Sequence, residues 1–178
     1  MAIRSPPSAD LVESFPPQVG EGCRVLILGT APSLRSLALR QSYGHAQNLF
    51  WPFMGELFEA GPGLDYAERI RRLHARGIGI WDVFASCERP GSLDSRIVRA
   101  SEVPNDIHGL LERHPTIRTI VLNGGKAQQA FRRHILAAPG RPWPDAIELL
   151  DLPSTSPANA SMSRADKRAR WAALATRA

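Results

Sequence analysis

Apolar residues along this chain fall into two patterns. Short runs rich in Val, Ile and Leu occur at 24–28, 78–84, 118–122 and 146–150, and runs of that length and composition predict strands buried on both faces. Between them the apolar positions recur at helical spacing. Leu49, Phe50, Phe53, Met54, Leu57 and Phe58 predict a core-packed helix over 48–60, stopped by Gly61, Pro62 and Gly63. A second helix is predicted over 65–76, with Ile70 and Leu73 inward, Arg71, Arg72 and Arg76 outward, and Gly77 as its cap. Further helices are predicted over 106–114, over 125–137, and from Ser163 onward, where Ser163 and Asp166 resemble a capping box with Asp in place of Glu or Gln.

Strands alternating with helices predict an α/β fold: a single-domain three-layer sandwich around a central, mainly parallel four-stranded sheet. In such sheets ligands bind outside the carboxyl ends of the strands. The loops beginning at Gly29, Asp82, Asn123 and Leu152 all follow predicted strands, so all four should gather on that edge. Residues 1–22 hold four prolines and little periodicity, and read as a loose arm in which Leu11, Val12 and Phe15 dock locally. Residues 23–178 then form the domain. The stretch 85–95 (A-S-C-E-R-P-G-S-L-D-S) is too rich in turn residues to be regular.

Charge adds a hint about partners. Lys and Arg outnumber Asp and Glu by 22 to 17, with a pI near 10.0, which suits a polyanion but equally suits a solubilising surface. Cys23 and Cys87 have no metal-ligand spacing with any histidine, so no structural zinc and no metal are expected. No apolar run has the length of a membrane span, and the amino terminus lacks the apolar core of a signal peptide. A cytoplasmic monomer with reduced thiols and no cofactor is the expectation.

Four blocks carry chemistry. They are G-T-A-P-S at 29–33 extended by Y-G-H-A-Q-N-L-F-W at 43–51, then G-I-G-I-W-D-V-F-A-S-C-E-R-P-G-S-L-D-S at 77–95, V-L-N-G-G-K-A at 121–127, and L-P-S-T-S-P-A-N-A at 152–160. In these blocks and their order the chain resembles the uracil-DNA glycosylase superfamily, and most closely its hypoxanthine (deoxyinosine) DNA glycosylase branch. The resemblance implies a monofunctional repair enzyme that flips a deaminated base out of DNA and hydrolyses its N-glycosidic bond, with hypoxanthine preferred and uracil and xanthine as further candidates. Branches carrying a four-cysteine iron–sulfur cluster are excluded, because two cysteines cannot ligate one. The alternative is a module of the same fold that binds damaged or single-stranded DNA without cutting. A nucleotide-binding enzyme is disfavoured by the missing G-x-G-x-x-G and P-loop patterns.

By the same resemblance, the usual water-positioning carboxylate of the first loop is replaced here by Ala31, and Leu152 stands where other branches carry His or Asn. Catalysis then falls to Asn48, whose amide cannot deprotonate water but can hold it in line. Asn48 also precedes an apolar-periodic segment and could cap its helix. Tyr43 corresponds to the aromatic that stacks on the extruded base, the other reading being a core tyrosine. Asp82 could accept from the N1–H of hypoxanthine or the N3–H of uracil, or simply bond its own loop. Thr30 and Ala31 would line the base pocket. Pro32, Ser33, Lys126, Ser154, Thr155 and Ser156 would meet phosphates. His45 and Asn159 are further candidates, a lone His beside a turn being more often structural. Ser156 occupies the approximate wedge position yet is small. The arginines of the last helix are either phosphate contacts or a solvated face.

Overall fold

In a computed structural model, residues 9–178 are described. After a three-residue strand β1 (Leu11–Glu13), the first apolar run forms β2 (Val25–Gly29), buried along its whole length. Three helices follow: α1 (Leu34–Leu39), α2 (Phe50–Phe58) and α3 (Tyr66–Ala75). Then come β3 (Ile78–Asp82), β4 (Phe84–Glu88), β5 (Val103–Pro104), α4 (Ile107–Arg113) and β6 (Thr119–Asn123). The chain closes with α5 (Gly125–Phe131), continued by a π-helical turn over Arg132–Leu136, then β7 (Glu148–Leu152) and α6 (Arg164–Trp171).

The main sheet runs β3-β2-β6-β7 with every neighbour parallel. Successive strand residues point to opposite faces, and the core divides accordingly. Val25, Ile27, Ile78, Ile80 and Val121 pack with Phe50, Phe53, Met54, Leu73 and Trp171 on one face. Leu26, Leu28, Ile120 and Leu122 pack with Ile107, Leu110, Ala127 and Phe131 on the other. These are the three layers expected from the alternation of strands and helices. Among the described residues no helix is long and apolar enough to cross a membrane.

Two expectations are corrected. The described part of the 1–22 arm is not loose: β1 pairs antiparallel with β4, Val12 is 2% exposed, and Gln18 bridges Ile80 through both backbone hydrogen bonds. Residues 1–8 of that arm lie outside the described residues. Only the first part of 85–95 departs from the irregularity expected there, because Phe84–Glu88 pairs with β1 on one side and β5 on the other, while 89–93 is a loop. Helix α1 also forms where the sequence reading had only a connector. Its start is set by Ser33, whose hydroxyl accepts from Ser36 N at 3.0 Å as an N-cap.

Candidate active site

Parallel register sets the site. Gly29 lies beside Asp82, and Asn123 beside Leu152, so the four loops leave the sheet along one edge. With residues 42–48 they enclose an open cleft of about 640 Å³. Thr30, Ala31, Pro32, Ser33, Tyr43, His45, Asn48, Asp82, Ser154, Thr155, Ser156 and Asn159 all line it; Lys126 does not.

Tyr43 is held in the left-handed region at φ 56°, a conformation that costs a non-glycine residue energy and persists only when its surroundings fix it. Those surroundings are specific. Its ring stacks on Phe50 with centroids 3.9 Å apart and planes 17° from parallel. The preceding Ser42 accepts from Trp51 Nε1 at 2.9 Å through its carbonyl and from Gln18 Nε2 at 3.0 Å through its hydroxyl, and donates its N–H to the Tyr66 hydroxyl at 3.0 Å. The Tyr43 hydroxyl is buried with no hydrogen-bond partner among the described residues. Burial first, and the Asp82 carboxylate second, push the phenol's pKa up, so it stays protonated.

The turn at Gly29 requires a missing side chain. A Cβ there would lie 2.7 Å from Asp82 Oδ1 and 3.1 Å from the Tyr43 hydroxyl, so glycine lets carboxylate and phenol converge over the backbone. The turn is tied to the chain after β3 by Val83 N to Gly29 O at 2.8 Å and Phe84 N to Thr30 O at 3.1 Å. Asp82 has its pKa raised to about 7, by burial first and then by the Asp94 carboxylate, with Arg89 opposing. Asp94 also lines the cleft, and burial raises its carboxyl too, against a hydrogen bond from Thr30 and the charge of Arg89.

Arg89 organises this wall. It is 1% exposed. Its guanidinium donates to the Pro32 carbonyl, to Gly91 O at 3.1 Å and towards Asp94 Oδ1 at 3.4 Å. A buried charge is tolerated only when paired and hydrogen-bonded, and here that pairing joins the first loop to the 89–95 loop.

Asn48 lines the same cleft. Its Oδ1 accepts from Phe50 N at 2.9 Å, an Asx turn into α2, whose cap residue is Leu49. Asn48 is thus not the N-cap itself but bonds one residue ahead of it; one lone pair of its amide oxygen is taken, leaving the second and the amide hydrogens. Leu49 N donates to Thr155 O at 2.9 Å, and Thr155 is gripped by Asn123, which donates to its hydroxyl and accepts from its N–H, both at 3.0 Å. At Gly124 (φ 94°), a Cβ would lie 2.7 Å from Ser154 Cβ, so a glycine lets the last loop cross close by. Trp171 Nε1 donates to Pro153 O at 2.9 Å and anchors that loop to α6.

One phosphate candidate is corrected, and other candidate residues make local bonds. Lys126 points elsewhere, its ammonium 2.7 Å from Glu102. The Glu102 side chain is fully buried and also meets Arg133 and His134, each at 2.8 Å. Thr155 is fully buried as a brace, and Ser33 is spent on its cap. Ser154 and Ser156 accept from Ser156 N and Ala158 N, both at 3.2 Å, within their own turn, and each hydroxyl keeps its hydrogen to donate into the cleft they line. His45 is exposed and accepts from Gln47 N at 3.2 Å, and the Asn159 carbonyl accepts from Lys167 Nζ at 2.6 Å. Of the basic residues on the last helix, Arg164 and Arg168 both pair with Glu56, at 2.8 and 2.7 Å. No group of three His, Cys, Asp or Glu among the described residues is placed to hold a metal.

Sequence reasoning missed Arg89, Asp94 and Gln18, and placed Asn123 at a loop start without its brace on Thr155. Only their position in turn-rich or proline-rich stretches marked the first three, and a buried arginine has no local signature.

A family model described as the uracil DNA glycosylase superfamily matches residues 16–175. A Methanosarcina acetivorans protein named hypoxanthine DNA glycosylase is 35% identical over 161 residues, covering 90% of this chain and 95% of that protein. A Methanosarcina barkeri protein of the same name is 34% identical over 116 residues, covering 65% and 72%. The solution NMR structure of a Methanosarcina acetivorans protein, 34% identical, matches with TM-score 0.75 over 92% of this chain and 96% of that one.

Proposed function

The chain belongs to the uracil DNA glycosylase superfamily, and we propose that it excises hypoxanthine from DNA, with uracil and xanthine as lesser substrates. It is a DNA glycosylase for deaminated bases. The observation that supports the finer reading is that Tyr43 and Asp82 converge at the Gly29 turn in a cleft that Asn48 also lines.

A base inside a duplex is out of reach, so the nucleotide must swing into the cleft. Tyr43, backed by Phe50 on one face, offers a flat surface on which the base stacks, a contact of roughly 1–3 kcal/mol by general experience. Asp82 in its ionised form accepts from the base N1–H, which hypoxanthine carries and adenine lacks. As the C1′–N9 bond stretches, positive charge develops on the sugar, and the acidic lining of the cleft, Asp94 included, favours that charge at longer range. Asn48, using its remaining lone pair and amide hydrogens, holds the water that then adds to C1′. An amide suffices because the bond is largely broken before water attacks. DNA approach is favoured by the formal charge of +5.

The test is to incubate labelled oligonucleotides containing hypoxanthine, uracil or xanthine and cleave abasic sites with alkali. Strand scission greatest for hypoxanthine supports the reading; binding without scission defeats it.

A further inference from the structure

A base swung out of a duplex leaves a hole in the stack, and proteins that distort DNA in this way commonly fill such holes with an apolar wedge. A residue for that task must be large, apolar, exposed before DNA arrives, beside the pocket, and on backbone that does not yield. The 154–156 loop does not supply one: Ser154 and Ser156 are small and their hydroxyls are engaged within the turn. Among the described residues, Leu11, Leu34, Leu39, Leu93, Val98 and Val103 are the exposed large hydrophobics. Only Leu93, 46% exposed, also lines the cleft.

Its backbone is pinned from both sides. On one side, Gly91 O accepts from buried Arg89, and Ser92 Oγ accepts from Leu34 N at 3.0 Å. On the other, Arg96 N donates to Leu93 O at 2.9 Å as the Asp94–Arg96 turn begins. Leu93 thus stands at the tip of a braced loop, next to Asp94, which faces the same cleft. We propose that Leu93 is the side chain that enters the DNA stack when the base leaves it, so that the wedge comes from the loop after β4. This rests on the glycosylase reading above.

The test compares wild type, Leu93→Ala and Leu93→Met in single-turnover excision of hypoxanthine. Three substrates are used: duplex, single strand, and a duplex with a pyrene nucleotide opposite the lesion to fill the stack. Leu93→Ala should lose about tenfold or more on the ordinary duplex, stay within about twofold on single strand, and recover with pyrene, while Leu93→Met keeps most duplex activity. Equal loss on single and double strand, no loss on duplex, or a duplex loss that pyrene does not repair would each overturn the assignment. Abasic product from wild type in the same tubes tests the glycosylase reading separately. Unchanged thermal unfolding, expected for an exposed position, excludes a folding defect.

Discussion

Replacing Asp82 with Asn should make the protein more stable at pH 8 and remove the pH dependence of its chemistry. The Asp82 carboxyl is raised from 3.8 to about 7, by burial and by Asp94, with Arg89 opposing. Between those values the folded state holds a proton that the unfolded chain has released, so stability falls as pH rises through this window and the full penalty is felt above pH 7. At 1.36 kcal/mol per pH unit the ceiling is about 4 kcal/mol. Asp82 is only half-buried in an open cleft, so solvent screening leaves about 1–2 kcal/mol, or about 3–6 °C in Tm. Asn has the same shape and no charge. Urea unfolding of both proteins at pH 5 and pH 8 should show the variant's advantage smaller at pH 5 than at pH 8. In wild type, single-turnover excision should rise with pH through about 7 as the N1–H acceptor ionises; in the variant that limb should vanish. A variant no more stable at pH 8, or one retaining the limb, would refute the reasoning.

Other expectations concern neighbours of that carboxylate and the far side of the sheet. Gly29→Ala drives a Cβ to within 2.7 Å of Asp82 Oδ1 and should cut excision by about tenfold or more with little change in Tm, measured by single-turnover kinetics beside thermal melts. Asn48→Ala should lower turnover by about 100-fold while DNA affinity, read by fluorescence anisotropy, stays within about twofold, and should cost about 1 kcal/mol of stability through the lost Asx turn. At Glu102, burial alone would raise the carboxyl, but hydrogen bonds from His134 and Lys126, with the charges of Lys126 and Arg133, hold it below its ordinary value. Glu102→Gln should therefore destabilise by about 3 kcal/mol at pH 7, the loss narrowing as acid protonates the wild-type carboxylate; urea titrations at pH 7 and pH 4 would check it.

The main sheet was legible because strands buried on both faces announce themselves as unbroken apolar runs. The carboxyl-edge site followed from that, since Gly29, Asp82, Asn123 and Leu152 each end such a run. The small antiparallel sheet was not legible. Its pairs, such as Leu11 with Glu88, join short segments far apart in sequence, and no three-residue strand has a period to detect. Local chemistry also misled where one residue type serves two ends. Lys126 follows two glycines as a phosphate lysine might, yet Glu102, 24 positions away, claims it. Ser33 before Leu34 was a cap signal that the phosphate reading obscured. Arg89 illustrates the limit: nothing around it in the sequence distinguishes an arginine at 1% exposure from one in water.

The two acids that line the cleft have a bearing on what can enter it. The molecule as a whole is cationic, which draws a nucleic-acid backbone to its outside, while Asp82 and Asp94 oppose the entry of that same backbone into the cleft they line. A phosphodiester is halted at the rim, and only an uncharged heterocycle sinks further. The fold thereby sorts a nucleotide into its parts before any bond is cut, keeping the strand out and admitting the letter.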